Sequence, residues 1–239
     1  STVKLLGRTR SLYVYGPPRL IEILDLHLEA GEGRLGFPLH FHKTTLDGPQ
    51  VLFEDGSLQL ESFPVRHRIP TTGFLLREKP REPGVRREWV RDHALVPSEI
   101  LALKRGEDVV RGDGNMIPCA EACHPVPKTR SYAFAADTRY WEAVAKHVHG
   151  VDLLYHEATF GSSMKKRAEK TYHSTATQAA RIAKMAEVGR LVIGHVSARY
   201  STFDALLEEA RQVFPETVLA EDGMRLDVMS CEEIGESRG

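Results

Sequence analysis

The chain has 239 residues, of which 41% are hydrophobic. That is enough for one large domain with a true core, and it excludes a fibrous or disordered protein. The 32 Lys and Arg residues nearly balance the 33 Asp and Glu residues, so no global charge marks a nucleic-acid-binding or membrane-surface protein. No apolar run approaches the ~20 residues of a membrane span, and the first ten residues do not resemble a signal peptide. We therefore expect a soluble, cytoplasmic protein.

The first third of the chain predicts one strand, one helix and then further strands. Residues 12–15 are β-branched and aromatic, and a Gly-Pro-Pro turn separates them from a helical pattern over residues 19–29. Apolar and polar residues alternate between residues 39 and 68, which predicts two or three antiparallel strands. Residues 72–76 predict another strand.

An insertion of different composition begins at Arg77. Residues 77–91 contain six basic and three acidic residues together with two prolines, which predicts an exposed segment that is extended first and helical later. A short helix over residues 98–105, a turn at residues 112–114 and a proline-rich stretch over residues 118–127 follow. The nearby Cys119, Cys123 and His124 lack a second pair of metal ligands, so we expect free structural thiols. With the third cysteine, Cys231, the number of cysteines is odd and cannot be divided into disulfide pairs, which suits a reducing compartment.

The last third alternates strands and helices. Strands are predicted at residues 131–136, 153–155, 191–193 and 217–219, and helices at residues 139–149, 175–186 and 203–213. Ser174 and Thr175 are good N-cap residues for the second of these helices. Together with the earlier antiparallel strands, the pattern predicts an α/β protein with mixed sheets covered by helices.

Four metal-capable motifs follow apolar strands. Their polar residues are His67, Asp137, the pair His156 and Glu157, and His195. Because strand ends in an α/β fold share one rim, these side chains can converge there. Singly each motif is weak: a histidine after a strand is more often structural, and Asp137 with Thr138 could cap a helix. Together, imidazole and carboxylate ligands suit Zn²⁺ or Mn²⁺, and two such ions promote phosphodiester hydrolysis.

The motifs as a set resemble the ribonuclease Z family, the tRNA 3′-processing endonucleases of the metallo-β-lactamase superfamily. The matching segments are residues 5–9, 15–18, 63–67, 136–138, 152–160, 172–175, 194–200 and 219–223. The resemblance implies a metallo-β-lactamase-like αββα four-layer fold over residues 1–239. It also implies that residues 77–130 form a protruding arm that grips tRNA. Many bacterial members read Pro-Pro-Gly-Pro where this chain has Val96-Pro97-Ser98-Glu99, so the resemblance does not determine the shape of the arm.

The resemblance also assigns roles to individual residues. His67, Asp137 and His195 fall on ligands of two divalent ions, zinc or alternatively manganese, with Asp137 as the bridge. His173 falls on the histidine that donates a proton to the leaving oxygen, a role that suits an imidazole. His156 and Glu157 either orient His173 or a metal ligand, or take part in catalysis directly.

Further residues are candidates for substrate contact. Arg199 and Tyr200 could hold a phosphate or the acceptor end of the RNA, although Arg199 could instead pair with Glu221 or Asp222. Lys170 and the basic residues at 165–167 suit phosphate contacts, although such a run is also typical of a solvated helix face.

The resemblance implies a metal-dependent endoribonuclease that cuts precursor tRNA after the discriminator base and works as a homodimer. A different hydrolase of the same fold and a non-catalytic RNA-binding relative are the alternatives. The superfamily motif His-x-His-x-Asp-His does not occur, since His40-Phe-His42 is followed by Lys43-Thr44. We expect an N-terminally incomplete chain that begins after the motif; a naturally shortened, inactive relative is the alternative.

Overall fold

The computed structural model describes residues 7–30 and 35–228. No helix within these ranges is long and apolar enough to cross a membrane. The matching segment at residues 5–9 lies partly outside the described residues, and Cys231 lies wholly outside them. The chain divides into two compact units: Glu78–Thr129 is one, and Ser1–Arg77 together with Arg130–Gly239 is the other.

The larger unit contains a seven-stranded mixed sheet. Its strands are β3 (Gln50–Glu54), β4 (Leu58–Pro64), β5 (Thr72–Glu78), β8 (Ser131–Ala135), β9 (Leu153–Glu157), β10 (Arg190–Gly194) and β11 (Thr217–Leu219). The strand order is β11-β10-β9-β8-β5-β4-β3. Strands β8, β9, β10 and β11 run parallel to one another, whereas β5 is antiparallel to β8 and β3 is antiparallel to β4. The carboxyl ends of the parallel strands therefore lie at one edge of the sheet.

Strands β1 (Leu12–Gly16) and β2 (Leu39–Lys43) form a separate two-stranded sheet. They are parallel, with Leu12 opposite Leu39, so the expectation that residues 39–43 pair in an antiparallel manner is wrong. The reason is the helix α1 (Leu20–Ala30) between them, since a helical crossover lets two consecutive strands run in the same direction. Alternating polarity reports a strand with one solvated face, and it carries no information about direction.

The helices of the larger unit that follow β8 are α5 (Ala143–His147), α6 (Lys165–Thr171), α7 (Ala176–Met185) and α8 (Asp204–Arg211). Leu154, Leu191 and Ile193 join α5, α7 and α8 in the main core, whereas Leu153 and Val192 belong to a small cluster with other neighbours. This division follows from the alternation of side chains along a strand.

The cap predicted for α7 is confirmed. The Thr175 hydroxyl accepts a hydrogen bond from the Gln178 amide at 3.2 Å, and the Gln178 side chain accepts one from the Thr175 amide at 2.9 Å. The Ser174 hydroxyl instead donates to the Thr138 carbonyl at 2.8 Å, which ties the start of the helix to the loop after β8.

Two helices differ from expectation. The helix expected over residues 139–149 is restricted to α5, because the Arg139 amide donates to the Arg66 carbonyl at 2.8 Å rather than joining a helix. Helix α6 was not predicted, since Ala168 is its one buried residue and the sequence has no apolar periodicity there. Its basic residues are exposed, as both phosphate contact and a solvated helix face require.

A glycine in β5 is required by its neighbours. A Cβ atom on Gly73 would lie 2.4 Å from the Phe63 ring and 2.9 Å from the Phe134 carbonyl oxygen. We expect Gly73→Ala to lower the free energy of unfolding by about 2 kcal/mol, because the core must shift to admit the methyl group. Urea unfolding would measure it, with Gly56→Ala as the control, since a Cβ there meets nothing within 4 Å. Equal stabilities of the two variants would contradict this packing.

The smaller unit has a core of its own. It contains α2 (Arg87–Asp92), α3 (Pro97–Lys104), β6 (Val109–Val110), β7 (Met116–Ile117) and α4 (Cys119–Ala122). Its buried residues are Leu95, Leu103, Val109, Ile117, Ala122 and Cys123. The expected order of an extended segment followed by a helix is confirmed, whereas β6, β7 and α4 were too short to be predicted.

The segment Val96-Pro97-Ser98-Glu99 forms the start of α3. Arg111 donates to Glu99 at 2.7 Å and to the His93 carbonyl at 2.8 Å, so it ties the segment after β6 to the start of α3 and the end of α2. The hydrogen bond from Arg111 lowers the pKa of Glu99 to about 2. Cys119 and Cys123 are free thiols, as expected, with sulfur atoms 3.7 Å apart. Burial raises the pKa of the Cys123 thiol to about 11, so it is an unreactive thiol at neutral pH.

Candidate functional site

The fold brings together side chains from four loops at the carboxyl edge of the sheet. His67 lies three residues after β4, Asp137 two residues after β8 and His195 immediately after β10. His173 lies between α6 and α7, and the left-handed Tyr172 (φ 60°) ends α6 and turns the chain toward the site. The rings of His67 and His195 lie 5.1 and 5.3 Å from that of His173, measured between centroids.

Glu157 lies at the centre of this group. It is the last residue of β9, not the residue after a strand that the sequence predicted, and its side chain is fully buried. Its carboxylate accepts hydrogen bonds from His173 Nδ1 at 2.7 Å and from the Thr138 amide at 3.0 Å. It also accepts two from Thr159, from the hydroxyl at 2.8 Å and from the amide at 3.1 Å. Four donors satisfy a carboxylate that would otherwise be costly to bury.

The hydrogen bonds fix which nitrogen of each histidine is available. Because the Thr159 hydroxyl donates to Glu157, it must accept from His195 Nδ1, which lies 2.9 Å away. His67 Nδ1 donates to the Tyr172 carbonyl at 2.9 Å, and His173 Nδ1 donates to Glu157. All three imidazoles therefore use Nδ1 for contacts with the protein and leave Nε2 free of protein partners in the described chain. For His67 and His195 this is how histidines that bind metals are usually held, whereas Nε2 of His173 can carry a proton.

The charges of Glu157 and His173 support each other. Burial raises the pKa of Glu157, but the hydrogen bond and the charge of His173, with smaller contributions from His156 and Thr159, outweigh it and leave the pKa below its usual value. The same hydrogen bond raises the pKa of His173 against the effect of burial, with help from the charges of Glu157 and Asp137. His173 thus retains a proton to higher pH than a free histidine does.

Two sets of side chains offer ligand atoms within 4.8 Å of one another. One set is His67, Asp137 and His173, and the other is Glu157, His173 and His195. Asp137 also lies beside the second set, with Oδ1 3.5 Å from His195 Nδ1. Nitrogen and carboxylate donors of this kind suit divalent zinc or manganese, and a carboxylate between two imidazole-bearing sets can serve both.

The other predicted residues are placed differently. His156 is buried on the opposite side of β9, where Nδ1 donates to the Glu157 carbonyl at 2.7 Å and burial lowers its pKa. Its Nε2 has no partner among the described residues, and the structure does not bring it to the cluster. Lys170 is exposed on α6, and Arg199 is exposed with no ion pair to Glu221 or Asp222 in the described chain.

The remaining predicted residue, Tyr200, has a structural contact. Its hydroxyl accepts a hydrogen bond from the Gly161 amide at 2.9 Å, which fixes the chain that leads into α6. The phenol proton remains available to a second acceptor.

The loop after β10 is held in an uncommon conformation. His195 has a φ of 59°, which few residues other than glycine adopt. A Cβ atom on the preceding Gly194 would lie 2.5 Å from the Tyr155 hydroxyl, so only glycine lets this tyrosine lie across the end of β10. The Gly194-His195 pair therefore aims the imidazole at Thr159, at a cost in backbone strain.

Sequence reasoning gave no role to Thr159. Its hydroxyl contacts Glu157 and lies within 2.9 to 3.2 Å of His195 and His173, so it joins three candidate residues. It is buried and lies two residues after Glu157, a spacing that repeats the period of a strand. A polar residue at this spacing after Glu157 was the feature of the sequence that could have predicted a role for Thr159.

A cavity of about 310 Å³ opens at the cluster. Its wall includes His67, Asp137, Glu157 and His195 together with the apolar Ile69 and Phe134. Phe134 is stacked on Tyr155, with ring centroids 4.7 Å apart. The cavity can thus admit a phosphate and an adjoining planar group beside carboxylate and imidazole side chains.

Known proteins similar to this chain match it over nearly its whole length. Ribonuclease Z of Bacteroides thetaiotaomicron is 40% identical over 228 residues, which cover 95% of this chain and 72% of the relative. Ribonuclease Z of Cytophaga hutchinsonii is 41% identical over 225 residues, or 93% of this chain and 71% of the relative. No protein-family model matches the chain.

Solved structures show the fold. Human tRNase Z, short form, superposes with a TM-score of 0.59 at 22% identity and covers 92% of this chain and 68% of its own. A metallo-β-lactamase fold protein from Bacillus subtilis superposes with a TM-score of 0.57 at 18% identity, with 92% of this chain and 66% of its own covered. The expectation of a metallo-β-lactamase-like fold is confirmed.

Proposed function

The chain belongs to the ribonuclease Z family of metal-dependent endoribonucleases that process tRNA 3′ ends. We propose the following roles for its residues in that activity. His67, Asp137 and His195 would hold two divalent ions, zinc or alternatively manganese, with Asp137 as the ligand common to both. His173 is the proton donor, and Glu157 positions it. Membership of this family favours tRNA processing over a small-ester hydrolase or a non-catalytic relative.

The single observation that carries the proposal is the arrangement around Glu157. Three imidazoles are held through Nδ1 by protein acceptors and leave Nε2 available on one side of the sheet edge. A structural set of histidines has no need for such a uniform orientation. Metal ligands need a free Nε2 lone pair, and a proton donor needs a free Nε2–H group.

The chemistry divides between the ions and the protein. When bound, two divalent ions activate water and stabilise charge on the phosphoryl oxygens. His173, whose protonated form is favoured by its hydrogen bond to Glu157, donates its proton to the ribose 3′ oxygen as the P–O3′ bond breaks. The products are a tRNA with a free 3′ hydroxyl and a trailer with a 5′ phosphate. Glu157 and Thr159 keep the imidazoles in place throughout the reaction.

The substrate proposal uses residues outside the cluster. Precursor tRNA is cut after the discriminator base, with Lys170, Arg199 and Tyr200 near the acceptor end and residues 77–130 as an arm on the body of the tRNA. The chain works as a homodimer in which the arm of one subunit serves the site of its partner, which light scattering of the active protein can test. This substrate also implies a cytoplasmic location.

We expect removal of the arm to weaken tRNA binding at least tenfold while hydrolysis of a small phosphodiester is unchanged, because the lost contacts are phosphate contacts. Arg77 and Ser131 are opposite each other on β5 and β8, so a two-residue hairpin linker can replace residues 78–130 without disturbing the sheet. Gel-shift titration and bis(p-nitrophenyl) phosphate hydrolysis measure the two effects. Equal loss of both would mean that the segment supports the fold instead.

A further inference from the structure

Two arginines beside the metal-capable cluster are held by aromatic rings. Arg66 precedes His67, and its guanidinium carbon lies 4.4 Å from the centroid of the Trp141 ring. Arg139 follows Asp137 by two residues, and its guanidinium carbon lies 5.4 Å from the centroid of the Tyr172 ring. The Arg139 amide donates to the Arg66 carbonyl at 2.8 Å, so the two backbones are joined at this point.

Neither guanidinium is neutralised. Within residues 7–30 and 35–228, neither the Arg66 nor the Arg139 side chain forms an ion pair or a hydrogen bond. Other arginines of the chain do, since Arg111 pairs with Glu99 and Arg190 pairs with Glu216. A ring beneath a guanidinium restricts its motion but leaves the N–H groups at its edge free for an anion.

The position of the pair indicates which anion would bind. Each arginine is within two residues of a proposed metal ligand. Tyr172, whose ring lies under Arg139, precedes His173, and its carbonyl oxygen accepts a hydrogen bond from His67. A phosphodiester held for cleavage at the cluster carries further phosphates on either side along the same strand. Planar guanidinium groups bind phosphate by two parallel hydrogen bonds, a geometry that lysine does not offer.

We propose that Arg66 and Arg139 form a subsite for a backbone phosphate next to the one that is cleaved, with Trp141 and Tyr172 holding the two guanidinium groups in place. This subsite rests on the proposed function, since it serves the same RNA strand. It positions the substrate and takes no part in bond breaking. An isolated carboxylate of a protein partner would be the other anion to fit such a pair, and the RNA is favoured because the pair adjoins the cluster.

The test measures binding of an acceptor-stem and T-arm minihelix with a 3′ trailer, an RNA that lacks the tRNA elbow. Fluorescence anisotropy at several salt concentrations gives the affinity and its salt dependence for Arg66→Ala, Arg139→Ala and Arg68→Ala. Arg68 is the matched control, because it is exposed in the same loop and no ring lies beneath it in the described chain. Thermal unfolding followed by circular dichroism would establish that all three variants are folded.

We expect Arg66→Ala and Arg139→Ala each to weaken binding about tenfold and to lower the slope of log affinity against log salt by about 0.7 to 1, the change for one lost phosphate contact. Arg66→Lys and Arg139→Lys should recover only part of the affinity. Lysine keeps the charge but cannot donate the two parallel hydrogen bonds of a guanidinium group. Arg68→Ala should change binding less than about twofold. An equal effect of Arg68→Ala, or an unchanged slope, would overturn the subsite.

A phosphate scan identifies the partner directly. Neutral methylphosphonate replaces one phosphate at a time near the cleavage position of the minihelix. At one adjoining position it should weaken wild-type binding and have no additional effect on Arg66→Ala or Arg139→Ala. If no position behaves in this way while the wild type still binds, the subsite fails and the proposed function stands. If the wild type binds the minihelix no better than an unrelated hairpin, both fail.

Discussion

Replacement of His67 or His195 by alanine is expected to reduce cleavage of precursor tRNA at least about a thousandfold, which corresponds to about 4 kcal/mol of transition-state stabilisation. Each imidazole leaves one nitrogen free at the cluster, and its loss removes a ligand that the neighbouring side chains cannot replace. Binding of tRNA should change little, since most of the affinity comes from phosphate contacts elsewhere. Single-turnover cleavage with an active preparation of the protein measures the effect.

A second readout separates loss of the ions from misfolding. Elemental analysis of each variant should show fewer bound zinc ions than the wild type contains after the same dialysis. The control is His149→Ala, because His149 is an exposed histidine two residues after α5 and belongs to neither set of metal-capable side chains. Full cleavage by either His67→Ala or His195→Ala would refute the assignment of these ligands.

After the two histidine variants, Glu157→Gln should have the largest effect. It should lower both the free energy of unfolding and the rate of cleavage. The buried carboxylate accepts four hydrogen bonds, and an amide offers one oxygen and brings an NH₂ group against donors. We expect the metal-free variant to lose about 3 kcal/mol of unfolding free energy at neutral pH. Its cleavage rate should fall about as far as that of His173→Ala, because both variants lose the oriented proton donor.

The stability difference should depend on pH in one direction. The pKa of Glu157 is lower in the folded state than its usual value, so the contribution of this carboxylate is complete above the unfolded pKa, about 4.3. This contribution is lost as the pH falls through the folded pKa. The difference in unfolding free energy between the wild type and Glu157→Gln should therefore become smaller in acid. Urea unfolding at pH 7 and at pH 3 to 4 measures this gap.

Glu169→Gln is the matched control, since Glu169 is exposed on α6 and forms no ion pair in the described chain. It should leave the unfolding free energy within about 0.5 kcal/mol of the wild-type value. A gap for Glu157→Gln that stays constant from pH 7 into acid would contradict a charged, hydrogen-bonded Glu157.

The sequence predicted most of the regular structure because burial of one side of an element leaves a periodic pattern. Strands β8, β10 and β11 and helix α7 with its Thr175 cap followed from that pattern. The direction of β2 did not, since alternation is the same in either direction. Helix α6 also left no apolar period, because it buries only Ala168.

The four motifs by themselves determined that metal-capable side chains would meet at one edge of the sheet, because the carboxyl ends of parallel strands lie together. Only the tertiary structure decided how they divide there. Among the described residues, His173 lies in both sets of metal-capable side chains, and neither set contains both His67 and His195. Glu157 lies at the centre, whereas its neighbour His156 lies on the opposite side of β9. Adjacent residues in a strand point to opposite sides, but which side faces the site depends on register with β8 and β10, and that is a property of the assembled sheet.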